Sequence, residues 1–111
     1  MICHHTVIRA FHDLAINAKD DAAAERCAQQ MVGVIRALLP SRDWTNELDC
    51  AANTYVRAVR LSEDARVLHR ECRVRSVDVS LTHLSATAAI LGDAEVSAED
   101  ELAKAIKSLN A

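Results

Sequence analysis

Apolar residues recur along this chain at steps of three and four, the spacing that puts side chains on one side of an α-helix. The first apolar stripe lies in residues 2–18 and the second in residues 24–39. The first contains Val7, Phe11, Leu14 and Ala18, with Ile8 and Ala15 beside them; the second contains Ala24, Ala28, Met31, Ile35 and Leu38. Proline cannot continue a helix, so we expect the second helix to end at or just before Pro40. Either Asp20 or Asp21 can cap its start.

A third stripe begins near Trp44 and contains Leu48, Tyr55 and Val59. The sequence Ser62-Glu63-Asp64 is typical of a helix start and predicts a break near Leu61. Apolar positions nevertheless continue past this point at helical spacing, through Leu61, Ala65, Leu68 and Cys72. One long bent helix is therefore the alternative.

The longest apolar repeat runs from Val74 to Leu91 and predicts a fourth helix that ends at Gly92. Residues 93–96 then form a linker, and Ser97 caps a short final helix with an apolar face of Leu102, Ile106 and Leu109. The predicted fold is a single all-α domain over residues 1–111, an up-and-down four-helix bundle with an additional short C-terminal helix.

Composition supports the helical prediction, because twenty alanines stand against two glycines and one proline. Gly33 lies inside the second stripe, where we expect it to allow a close helix crossing. Aromatic residues make up 3% of the chain, so the core must be built from Leu, Ile, Val and Ala. Such a core stabilises a small domain modestly, and we expect a second copy of the chain to complete it as a homodimer.

The net charge is −3 and is unevenly distributed. Residues 54–77 contain six arginines against three acids, and residues 78–111 contain six acids against two lysines. Such segments commonly satisfy each other across a bundle. The early apolar residues are interrupted by Arg9, His12 and Asp13, which argues against a secretory leader, and no apolar run is long enough for a membrane span. These features predict a cytoplasmic protein with free thiols and no membrane association.

Candidate chemistry in the sequence is sparse. The four cysteines, Cys3, Cys27, Cys50 and Cys72, form no CxxC pair, and the predicted helix order puts them at different levels of the bundle. His69 and Cys72 share a helix turn, but a structural zinc site needs four converging ligands. We therefore expect no metal and no cofactor, with a metal site or thiol switch as a remote alternative. His12 beside Asp13, and His83 near serines, have no spacing that specifies an acid–base site, so we expect no enzyme activity.

Arg66, Arg70 and Arg73 step by four and three and form one basic stripe. Helical nucleic-acid-binding proteins use such stripes to neutralise phosphates. Acidic residues are interleaved here, and the stripe contains no aromatic side chain to stack on bases. Nucleic-acid binding is therefore the second hypothesis.

The first hypothesis is a small non-catalytic binding or accessory module that associates with itself or with another protein through an apolar helix face. We place that interaction face in the long repeat or on the last helix. Its residues are Val74, Val77, Leu81, Leu84, Leu91, Leu102, Ile106 and Leu109.

Overall fold

The structure, a computed structural model, describes residues 2–39, 46–75 and 81–109, with side chains described over 2–39, 46–71 and 86–109. Over these ranges the chain is helical and contains no strand, which confirms the all-α prediction. The described helices are α1 (His4–Asn17), α2 (Asp21–Leu38), α3 (Glu47–Arg75) and α4 (Leu81–Leu109). Pro40, Trp44 and Val77 lie outside the described residues.

The connection between α1 and α2 is held by capping interactions. The Asp20 carboxylate accepts a hydrogen bond from the backbone N–H of Ala23 at 2.7 Å, so Asp20 caps α2. From α3, Arg60 Nη1 donates to the backbone oxygens of Ala15, at 2.8 Å, and Ala18, at 3.2 Å. Its Nε donates to the Asp21 carboxylate. One guanidinium thus satisfies carbonyls at the end of α1, where a positive charge is favoured, and binds the first residue of α2.

The four helices share one apolar core that is centred on the first half of α3. Every other helix packs against α3, and α1 also contacts α2 and α4. The buried apolar side chains belong to all four helices: Ile8, Phe11 and Ala15; Ala24, Ala28, Val32 and Ile35; Leu48, Ala52, Tyr55, Val56 and Val59; and Ala98, Leu102, Ala105 and Ile106. Phe11, Leu102 and Ile106 have no exposed surface and are among the largest fully buried side chains of this core.

α3 and α4 pack densely along each other as a hairpin. Each has 29 residues, which corresponds to a length of about 44 Å. The five residues between them can span at most about 18 Å, so α4 must run antiparallel to α3. The molecule is correspondingly elongated, with extents of 57 × 24 × 20 Å.

The predicted helix break near Leu61 is wrong, and the alternative of one long helix is confirmed. α3 continues through Ser62-Glu63-Asp64 without interruption. Ser62 does not cap a helix; it is buried, with 2% of its surface exposed. Serine costs a helix only about 0.5 kcal/mol relative to alanine, less than the packing gained by continuing.

The predicted helix end at Gly92, the linker over residues 93–96 and the cap at Ser97 are also wrong. All of these residues lie inside α4, which runs from Leu81 to Leu109. The segment predicted as a separate C-terminal helix is therefore the second half of α4. The predicted helix from Val74 to Leu91 is divided between the end of α3 and the start of α4.

Gly33 is not a close crossing point, contrary to expectation. It is exposed on α2, and a Cβ atom built there would meet no heavy atom within 4 Å. A Cβ atom built at Gly92, which is half-buried in α4, would likewise meet no heavy atom within 4 Å. Both glycines therefore weaken their helices without allowing any contact in return.

Replacing either glycine with alanine should stabilise the protein. We expect Gly33→Ala and Gly92→Ala each to raise the free energy of unfolding by about 1 kcal/mol, because alanine is the better helix former and its Cβ meets nothing. Chemical denaturation followed by circular dichroism measures this. If Gly33→Ala were instead less stable than the wild type, the result would support the close helix crossing predicted from the sequence.

Arg60 should contribute far more to stability than an exposed charge does. We expect Arg60→Met to lower the free energy of unfolding by about 2 kcal/mol, because it removes hydrogen bonds that tie α1 and α2 to α3. Lys104→Met is the matched control, since Lys104 makes one exposed contact with Glu101 at 3.4 Å and should cost about 0.5 kcal/mol or less. Equal losses in the two variants would refute the role given to Arg60.

Candidate functional site

α1 and α2 cover one side of the α3–α4 hairpin and leave the opposite side uncovered. The positions of α3 that face the core are buried, whereas those on its opposite stripe are exposed. We call this uncovered surface the open face and define it by exposed residues on the two helices: Cys50, Thr54, Leu61 and Leu68 on α3, and Ile90, Ala94 and Ser97 on α4.

Large apolar side chains lie exposed on the open face. Leu61 is 55% exposed, Leu68 is 50% exposed and Ile90 is 68% exposed. Leu61 and Leu68 are separated by two helical turns and therefore share one stripe of α3. Leu68 and Ile90 lie toward the end of the hairpin that α1 and α2 do not reach, whereas Leu61 lies level with the start of α2.

Small side chains form a groove on the other half of the open face. The groove has a volume of about 640 Å³ and runs between α3 and α4. Its lining residues are Glu47, Cys50, Ala51, Thr54, Ala94, Ser97, Ala98 and Glu101. One end of the open face therefore projects large apolar groups, and the other end offers a shallow channel lined by small side chains and by Glu47 and Glu101.

A second groove, of about 420 Å³, lies between the start of α2 and the middle of α3, at the edge of the open face. Leu61 lines it together with Arg57 and Asp64. Arg57 is 71% exposed and contacts Glu25 at 3.4 Å, a weak surface pair. Asp64 is exposed and forms no salt bridge with the residues that the structure describes. At this edge, the positively charged Arg57 and the negatively charged Asp64 thus lie on opposite sides of Leu61 along α3.

The residues of the interaction face expected from the sequence differ in how far they are buried. Leu102 and Ile106 are fully buried in the core of a single chain, and Leu109 packs against that core. A partner could reach Leu102 or Ile106 only by opening the core. Leu91 is half-buried in the hairpin. Val74 lies in α3, Leu81 and Leu84 lie in α4, and the side chains of these three, like all of Val77, are outside the described residues.

The arginine stripe is partly engaged with acids. Arg66 Nη2 lies 3.1 Å from a Glu63 oxygen and 3.9 Å from a Glu95 oxygen. Arg70 is exposed, and none of the described residues forms a salt bridge with it. Arg73 lies near the end of α3, and its side chain is outside the described residues. The expected pairing of the basic segment with α4 is thus seen at Glu95.

Glu95 joins three helices in a polar cluster at the border of the core. Its carboxylate lies 3.9 Å from His12 Nε2 of α1 as well as near Arg66 of α3, and its side chain is only 16% exposed. His12 Nδ1 lies 3.8 Å from the Asp13 carboxylate. The predicted linker over residues 93–96 hides the role of Glu95; in a continuous α4, its position one turn before Ala98 and two turns before Leu102 marks a core-facing residue.

Tyr55 lies beside this cluster and is almost completely buried. Burial, together with the negative charges of Glu99, Glu95 and Asp13, raises the pKa of Tyr55 to about 12. The phenol therefore stays neutral over the physiological pH range. The Glu95 carboxylate thus lies within 4 Å of side chains from α1 and α3, beside a tyrosine that resists ionisation.

Three cysteines are free and exposed: Cys3, Cys27 and Cys50. Cys27 and Cys50 are therefore not part of the apolar core. The backbone N–H of Thr6 is the main group that lowers the pKa of the Cys3 thiol. Cys50 and Cys72 share the unbroken α3, and the side chain of Cys72 is outside the described residues. Within the described ranges, no group of three or more His, Cys, Asp or Glu residues could hold a metal ion.

No protein-family model matches the chain, and neither a curated protein nor a solved structure is similar enough to match it. Among the described residues, no helix is long and apolar enough to cross a membrane.

The ionisation of Tyr55 gives a test of the polar cluster. Because the folded-state pKa, about 12, lies above the unfolded value of about 10, the folded protein retains a proton that the unfolded chain loses. The contribution of this retained proton to the free energy of unfolding is fully present below pH 10. It is lost between about pH 10 and 12 and amounts to roughly 2–3 kcal/mol in total. We expect folded protein to lose stability in that pH window.

Spectrophotometric titration of tyrosinate measures this directly, since the chain has one tyrosine. The folded midpoint should lie at least about one pH unit above the midpoint in guanidinium chloride. Tyr55→Phe serves as the blank and should lack the transition. Identical midpoints in folded and unfolded protein would show that Tyr55 is not shielded.

Proposed function

We propose that this chain is a small non-catalytic interaction module, an up-and-down helical bundle that associates with a second copy of itself through the open face. The observation that carries the proposal is the mismatch between the helices. α3 and α4 have 29 residues each, whereas α1 has 14 and α2 has 18, so the short helices cannot cover the whole hairpin.

Burial of the exposed leucines and isoleucine of the open face would stabilise the dimer. Complete burial of such a side chain is worth about 1.5–3 kcal/mol. Leu61, Leu68 and Ile90 each retain half or more of their surface for contact with a partner. In a symmetric dimer each of them is buried twice, which doubles its contribution.

The size of the molecule supports the same proposal. A face about 20 Å wide that overlaps over two thirds of the 57 Å length covers about 760 Å² per copy. The total for two copies is about 1,500 Å², within the range of stable specific interfaces. The open face is therefore large enough for a homodimer.

The nucleic-acid hypothesis has weaker support. Arg66 of the basic stripe is already close to two carboxylates, which oppose binding of a phosphate. The net charge of −3 adds no general attraction for a polyanion. We retain self-association as the proposed function.

Polar substitution on the open face should weaken the dimer without unfolding the chain. We expect wild-type protein to sediment as a dimer at about 100 μM, and the double variant Leu68→Gln, Ile90→Gln to have a dimer dissociation constant at least about tenfold higher. The physical reason is that both side chains are exposed in the single chain but lose water contact in the dimer. Sedimentation equilibrium over a concentration series measures the change.

Val34→Gln is the matched control, because Val34 is 59% exposed on α2, away from the open face. It should leave the dissociation constant unchanged. A wild-type protein that remains monomeric at every concentration contradicts the proposed function. An equal increase of the dissociation constant in Val34→Gln would contradict the assignment of the dimer interface to the open face.

A further inference from the structure

The exposed stripe of α3 is arranged symmetrically about Leu61. Arg57 lies one turn before Leu61, and Asp64 lies one turn after it, on the same edge of the stripe. Thr54 and Leu68 lie seven residues before and after Leu61. A helix with this pattern is complementary to a second copy that runs in the opposite direction.

We propose that two copies pair antiparallel through α3, about a two-fold axis that passes beside Leu61. This inference rests on the proposed self-association and specifies its register. Arg57 of each copy then faces Asp64 of the other, and Leu68 of each copy lies over Thr54 of the other.

The charges favour this arrangement. Arg57 has only the weak contact with Glu25, and Asp64 has no salt bridge with any described residue, so neither must give up a strong interaction in the single chain. Because the dimer is two-fold symmetric, it contains the Arg57–Asp64 pair twice. In a parallel pairing about a two-fold axis along the helices, Arg57 would be level with Arg57 and Asp64 with Asp64, about two turns apart, so no Arg57–Asp64 pair could form across the interface.

Side-chain size favours the same direction. The groove lined by Cys50, Thr54 and Ser97 lies on one half of the open face, and Leu68 and Ile90 project from the other half. Antiparallel pairing brings the projecting half of one copy onto the groove of the other. Large residues placed against small ones fill the space between facing helices, whereas a parallel pairing sets large against large and leaves both grooves empty.

Charge exchange between positions 57 and 64 tests the register. We expect Arg57→Asp alone and Asp64→Arg alone each to raise the dimer dissociation constant about tenfold or more, because each creates two like-charge contacts. The variant that contains both substitutions should return to within about threefold of wild type, since the pairs are restored in reversed order. Sedimentation equilibrium gives the constants, and thermal unfolding at low concentration reports whether each single chain is folded.

Disulfide cross-linking provides a second, independent measurement. In a background with Cys3, Cys27, Cys50 and Cys72 replaced by Ser, Leu61→Cys places a thiol beside the axis, next to the same thiol of the other copy. Mild oxidation should convert it to a covalent dimer, whereas Val34→Cys in the same background should remain unlinked. If this background does not fold, the charge exchange alone decides the register.

The outcomes separate the two proposals. A dimer that shows neither charge rescue nor cross-linking at position 61 overturns the register and leaves self-association standing. Recovery of binding in the double variant, together with cross-linking at position 61, supports the register. Absence of any dimer overturns both proposals.

Discussion

The length of α3 is the constraint on which the rest of this structure depends. It is the helix against which every other helix packs, and its first half contains five of the buried core residues. Ser62 is the last buried residue of α3, and Ala98 is the first described buried residue of α4; between these two positions and the α3–α4 connection, no described side chain of the hairpin is buried. Arg60 lies just before this limit and holds the ends of α1 and α2 there. The same residues that complete the core thus determine how much of the hairpin stays uncovered.

Sequence patterns predicted the helical class and α1 and α2 well, because apolar spacing and the Asp20 cap are local signals. They failed where a local signal was outweighed by tertiary packing. Ser62 resembles a cap, and Gly92 resembles a helix end, but each costs its helix only about 0.5–1 kcal/mol. Burial of Val59 before Ser62, and of Leu102 after Gly92, stabilises the continuous helices by more than this.

The same errors explain why the candidate surfaces were misplaced. With a linker assigned to residues 93–96, Leu102 and Ile106 were assigned to a separate helix that could meet a partner. In the continuous α4 they lie on the stripe that faces the core and are fully buried. Glu95 was overlooked for the same reason, although it lies on that stripe too. Leu61 and Leu68 continue the apolar pattern only in composition: Leu61 follows Val59 by two positions, a rotation of about 200° that turns its stripe away from the core.

The distribution of polar residues within the hairpin bears on what the open face is for. Beyond Ser62, the core-facing positions of α3 include Arg66, which is near Glu95, so the contact between the two long helices becomes ionic where α1 ends. On the outer side of α3, Leu61 lies just before Ser62 and Leu68 lies beyond it. A hairpin that only needed internal stability would keep leucine inside and arginine outside. Beyond Ser62, Arg66 and Leu68 are both about half exposed, at 49% and 50%, and Leu68 lies on the open face, where the proposed self-association would bury it.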